Sequence, residues 1–142
     1  MKTVRHTSRS QALQVLYQLD VQKNLTLDTG LDYFRANFES EGAEAAFVER
    51  LIKGVMDRLK EIDAKIEEAA SHWRVDRMGR VDRNVLRMGV FELLYCDEIP
   101  ATVSINEMIE LAKSFADEDS PKFVNAVLDR IRINNPVPNK AP

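Results

Sequence analysis

Cysteine is nearly absent from this 142-residue chain; Cys96 stands alone. That excludes an internal disulfide and suits a reducing compartment, so a cytoplasmic protein is expected. Proline does not occur before Pro100, and the five glycines are scattered, which leaves no glycine-rich phosphate loop. No run approaches the roughly 18 apolar residues of a membrane span. No apolar stretch follows the basic opening MKTVRHTSRS, so no secretory signal is expected. His6 and His72 are the only histidines; they lie far apart, without a neighbouring nucleophile or a zinc-ligand cluster. Asp117, Glu118 and Asp119 form one acidic run without the ligand spacing or glycine of a calcium loop. Cys96 falls late in an apolar segment and reads as an inert buried thiol. No catalytic or metal-binding set can be named.

Acid is missing from residues 1–19, where Lys2, Arg5 and Arg9 are the charged residues, although the whole chain has a net charge of -3. A composition of 44% hydrophobic and 30% charged residues is that of a globular domain. Long proline-free stretches of Ala, Leu, Glu, Lys and Arg favour helix, and strand-like alternation is hard to find. The spacing predicts an all-α protein of six to seven helices.

The first helix is expected over about Ser8 to Gln22, with Ala12, Leu16 and Leu19 in a row and Arg5 and Arg9 at the basic tip of that stripe. A second spans about Asp28 to Glu39, and Gly42 breaks it from a third over about Ala43 to Ala70. There Val48, Ile52, Val55, Leu59, Ile62, Ile66 and Ala69 form a heptad seam, widened by Phe47 and Leu51. Ser71 to Arg80, with His72 and Trp73, is a joint. The next helix, about Val81 to Asp97, is apolar nearly all round and belongs at the centre of a bundle. Pro100 opens another, to about Ala116, with Phe115 inward, although Ser104 with Glu107 offers an alternative capping box there. Ser120 and Pro121 cap the last helix, to about Ile133. Two helical subdomains, about 5–72 and 73–134, and a proline-rich tail over 135–142 are expected.

Single-stranded RNA recognition needs cations along the backbone and an aromatic face for stacking. Lys2, Arg5, His6 and Arg9 supply cations. Lys122 and Phe123, at the start of the last helix, supply a cation and a ring near free backbone N–H groups. The alternatives stay open: core packing for Phe123, a solvated face or ion pairs for Arg83 and Arg87, and chance for the basic terminus.

Residues 105–129, INEMIELAKSFADEDSPKFVNAVLD, resemble the C-terminal signature of the NusB family of bacterial transcription antitermination factors. SRSQALQVLYQLD at 8–20 resembles that family's first helix, and VDRNVLRMGVFELLYCDEIP at 81–100 its central helix and following turn. The resemblance covers the chain from Arg5 to about Asp129. It implies an all-helical NusB-like fold of two packed helical subdomains, no cofactor and no catalysis. It also implies binding to the boxA element of nascent ribosomal RNA transcripts with NusE, a small-subunit ribosomal protein, within the RNA polymerase antitermination complex.

Carried over by residue, the resemblance places the basic N-terminal segment on Arg5, His6 and Arg9, with Lys2 upstream, and the RNA-facing aromatic on Phe123, next to Lys122. Asp119 matches an acid that modulates RNA affinity. Tyr17, Asp82 and Arg83 match the side that meets NusE. Relatives carry a contiguous arginine run where this chain has RHTSR, so protonation of His6 would add a cation under mild acid. Related proteins include monomers and dimers, and a homodimer would cover the RNA surface. Two other readings compete: a helical accessory domain for ribosomal RNA modification, as found beside certain cytosine methyltransferases, and a purely protein-binding adaptor. The chain has no nucleotide-binding strand–glycine–helix unit to support the first.

Overall fold

The computed structural model describes residues 4–23 and 26–142. It is all-helical, with no strand among the described residues. The helices are α1 (Val4–Val21), α2 (Leu27–Asn37), α3 (Gly42–Asp57), α4 (Leu59–Ala69), α5 (Arg80–Tyr95), α6 (Ala101–Phe115) and α7 (Ser120–Asn134), with a 3-10 turn at Val75–Arg77 before α5. No helix among the described residues is long and apolar enough to cross a membrane.

The chain forms two compact units, one ending at Asp57 and the other beginning at Arg58. This division falls inside the single helix expected over 43–70, not at the 72/73 boundary read from the sequence. Arg58 departs from helical geometry, with φ -120° and ψ 23°. The heptad seam is thereby shared between two cores. Val48, Ile52 and Val55 are buried in the first unit, where α3 packs on α1 and α2. Ile62, Ile66 and Ala69 are buried in the second, where α4 packs on α5 and α7. An apolar period reports that a stripe is covered, not which partner covers it.

In the first unit α1 buries Ala12, Leu13, Val15, Leu16 and Leu19, and it starts a turn before the expected Ser8. Thr26 caps α2: its Oγ1 accepts from the backbone N–H of Thr29 at 3.2 Å, satisfying one of the unpaired donors of a helix start. Gly42 begins α3 at φ +61°, a left-handed conformation that glycine adopts without strain.

In the second unit α5 is central. Every residue from Asn84 to Leu93 is buried, as its all-round apolar pattern predicts. Arg87 reaches out of this core to Asp63 on α4 through two parallel bonds, at 2.8 and 2.9 Å, a bidentate geometry that holds a guanidinium firmly. The buried carboxylate of Glu92 accepts from Ser104 Oγ at 2.7 Å. Ser104 is therefore a core residue of α6 and not its cap; Pro100 precedes the first turn instead. Phe115, expected to face inward, is exposed at the last turn of α6. The Tyr95 hydroxyl donates to Glu61 on α4. Burial, and after it this hydrogen bond, raise the Tyr95 pKa above the usual phenol value. Cys96 is fully buried.

The segment after α7 is docked back onto the unit. Lys140 Nζ donates to the carbonyls of Glu92, Leu93 and Cys96 at 2.6, 2.9 and 3.0 Å. These acceptors lie at the C-terminal end of α5, the negative end of the helix dipole, which attracts cations. Burial lowers the Lys140 pKa, opposed by Cys96, Glu92, Asp97 and Glu98.

Close approach at α5 depends on Gly89. A Cβ there would lie 2.7 Å from Leu128 Cδ1 and 3.2 Å from Met108 Cγ. Both neighbours are fully buried, so neither has free space to move into. Gly89→Ala is expected to destabilise the protein by about 1–3 kcal/mol through overpacking; urea unfolding measures it, and unchanged stability would show that the packing yields.

Candidate functional site

In the first unit the cationic end of α1 is built on an aromatic ring. Arg5 and Arg9 are one turn apart, and their guanidinium carbons lie 4.0 and 5.4 Å from the Phe47 ring centroid. Both distances fall within the range of cation–π attraction. Phe47 itself is buried, so one side chain serves both the core and the charged tip. Arg5 remains exposed.

His6 and Arg9 are not presented to solvent as the sequence reading supposed. Their relative exposures are 8% and 2%, and both make interactions within the protein. Because α1 extends back to Val4, residues 6, 9, 13 and 16 continue one stripe of the helix into the interior. Lys2 lies outside the described residues.

In the second unit α7 begins beside an exposed indole. Asp119 occupies the position before the helix, makes no side-chain capping bond and is exposed. Ser120, expected as the cap, is instead buried as the first residue of the helix. Lys122 is exposed and Phe123 half-buried. The Phe123 ring centroid lies 5.8 Å from that of Trp73, with the planes tilted by 57°. Trp73 is the more open of the two, at 54% exposure.

A short tight turn presents Trp73. His72 N–H donates to Glu67 O at 2.7 Å, and Trp73 N–H to Ala70 O at 3.2 Å. Ser71 and His72 both adopt left-handed φ, at 57° and 65°. The bond from His72 to Glu67 is the closing contact of a Schellman motif, built here without the usual glycine. Arg130 on α7 donates to Ala69 O at 3.1 Å, which braces the same turn. His72, Arg74, Arg77 and Arg80 are exposed around it, and Arg74 pairs with Asp76 at 2.6 Å. Sequence reasoning treated Trp73 as part of a joint. The available signal was the chain's single tryptophan, placed between helices and flanked by basic residues.

The other expected site residues are less exposed. Tyr17 is half-buried on α1. Asp82 and Arg83 lie at the start of α5, where Arg83 donates to Met78 O at 3.3 Å. Asp82 Oδ1 is buried and has no hydrogen-bond partner among the described residues. No group of His, Cys, Asp or Glu among the described residues is arranged to hold a metal ion.

Comparison with known proteins identifies the lineage. The model of the NusB family matches residues 6–132. The chain belongs to the NusB family. The transcription antitermination protein NusB of an Exiguobacterium species is 44% identical over 127 residues, covering 89% of this chain and 95% of that protein. NusB of Myxococcus xanthus is 45% identical over 132 residues, covering 91% and 94%. Among solved structures, T. maritima NusB superposes with a TM-score of 0.85 at 33% identity, covering 100% of this chain and 96% of that one. A chain from the crystal structure of antitermination factors NusB and NusE in complex with dsRNA gives a TM-score of 0.82 at 28% identity, covering 94% and 99%.

The interior position of His6 in this NusB-family chain can be checked chemically. Diethyl pyrocarbonate is expected to modify the exposed His72 well before His6, read by peptide mass spectrometry. Equal rates at the two histidines would place His6 on the surface.

Proposed function

We propose that this NusB-family chain is a transcription antitermination factor that binds boxA-type single-stranded RNA together with NusE, acting within the RNA polymerase complex in the cytoplasm and without catalysis. The observation that carries this reading is the match over 94% of the chain to a relative solved with NusE and RNA. Relatives 44% and 45% identical carry the antitermination name over nine tenths of the chain, which supports the same role.

The proposed RNA contacts divide by chemistry. Lys2, Arg5 and Lys122 meet phosphates. Arg9 and His6 support the α1 tip from inside. Phe123 contributes an aromatic surface. Asp119, exposed and one helical turn before Phe123, sets a negative charge against the phosphate chain and so moderates affinity. On the partner side, Tyr17, Asp82 and Arg83 meet NusE.

Three phosphate contacts to a single strand give a slope of log affinity against log salt of about -2, shallower than the roughly -3 of four contacts. Fluorescence anisotropy with a boxA oligoribonucleotide and a scrambled control, each with and without NusE, is expected to show that slope and a preference for boxA. A slope near zero, or equal affinity for both RNAs, would sink the reading. In a pull-down, Asp82→Lys should lose NusE while keeping the helical circular dichroism of the parent; normal NusE capture would move the partner surface elsewhere.

A further inference from the structure

We propose that Trp73 is the base-stacking platform of this chain, taking an unpaired nucleobase on the outer face of its indole while Phe123 steadies the ring from the protein side. The proposal deepens the RNA-binding reading above and rests on it.

The geometry separates the roles of the two rings. At 5.8 Å between centroids and 57° between planes, they are in direct aromatic contact, and no base fits between them. Phe123 is half-buried, whereas more than half of Trp73 faces solvent. The indole is therefore the open member of the pair, with its outer face free for a further ring. Stacking on a base covers a flat face of this size without requiring a particular hydrogen-bond pattern.

The platform is also held in place. Its backbone N–H is bonded to Ala70 O, and the two preceding residues occupy left-handed conformations that non-glycine residues adopt only at a cost. Arg130 clamps the carbonyl of Ala69 at the end of α4. A ring fixed in this way loses little freedom when a base lands on it, which favours binding.

The charges around Trp73 select the class of partner. Arg74, Arg77 and Arg80 lie exposed on the same short segment, opposed there by Asp76 alone. Lys122 is exposed next to Phe123 on α7. Cations interleaved with an open aromatic face suit a phosphate-linked strand with splayed bases better than an apolar protein surface.

The experiment uses the full chain and a single-stranded boxA oligoribonucleotide. Because Trp73 is the only tryptophan, its emission reports the site directly, and anisotropy of labelled RNA reports binding independently. Bound RNA should quench the emission, and the same oligonucleotide annealed to its complement should not. Trp73→Ala should weaken binding by roughly tenfold or more, with unchanged circular dichroism, and Trp73→Phe should restore most of the loss. The salt slope should stay the same in Trp73→Ala, because stacking releases no counterions.

If RNA binds but the emission does not change, or if Trp73→Ala binds as tightly as the parent, the platform is refuted and the RNA-binding reading survives. Equal quenching by duplex also refutes it. A Trp73→Ala protein that loses NusE yet keeps RNA assigns the indole to a protein partner and overturns the proposal. Failure of the parent chain to bind RNA both alone and with NusE removes both readings together.

Discussion

A helix with no face left for water organises the second unit. Burial of Asn84 to Leu93 on all sides obliges α4, α6 and α7 to surround α5, and the polar groups carried inward with it must be satisfied there. Ser104 answers Glu92, and Asp63 answers Arg87. Lys140 answers the carbonyls at the far end. Each of these partners comes from a different element. The central helix therefore fixes the placement of its neighbours through directed bonds as well as apolar contact, and buried polar groups of this kind specify one arrangement among many that would pack equally well.

The paired rings of Trp73 and Phe123 sit at the edge of that scaffold. The turn carrying Trp73 follows α4, and the ring against which it rests belongs to α7. Both helices pack on α5 as well as on each other. Asp82 lies in the first turn of α5 itself. A rigid centre thus holds the exposed indole on a short segment tied by backbone and arginine hydrogen bonds.

Helical content and the burial of most apolar stripes were legible because period and composition act locally. Val124, Val127, Leu128 and Ile131 were read as one inward face of the last helix and are buried. The break at Arg58 was not legible. No proline or glycine marks it, and the heptad spacing continues through it unaltered. The interior positions of His6 and Arg9 were missed because polar side chains at a helix start read as exposed until the true first turn is known. Trp73 escaped notice for another reason: its openness comes from a left-handed turn formed by Ser71 and His72, residues with no strong sequence preference for that geometry. In each case the deciding interaction joins residues far apart or depends on backbone conformation, and neither is written in the period. The family resemblance located the same stretches that the family match covers, residues 6–132.

Phe47 links two properties usually treated as separate. Its ring is part of the hydrophobic interior of the first unit and also the seat of two guanidinium groups. The electrostatic field at the beginning of α1 is therefore conditional on the integrity of that interior. Loosening the three-helix core, even at a residue remote from any charge, would let the arginines disperse and blunt the local potential. Long-range attraction of an anion would weaken before the helices themselves had melted.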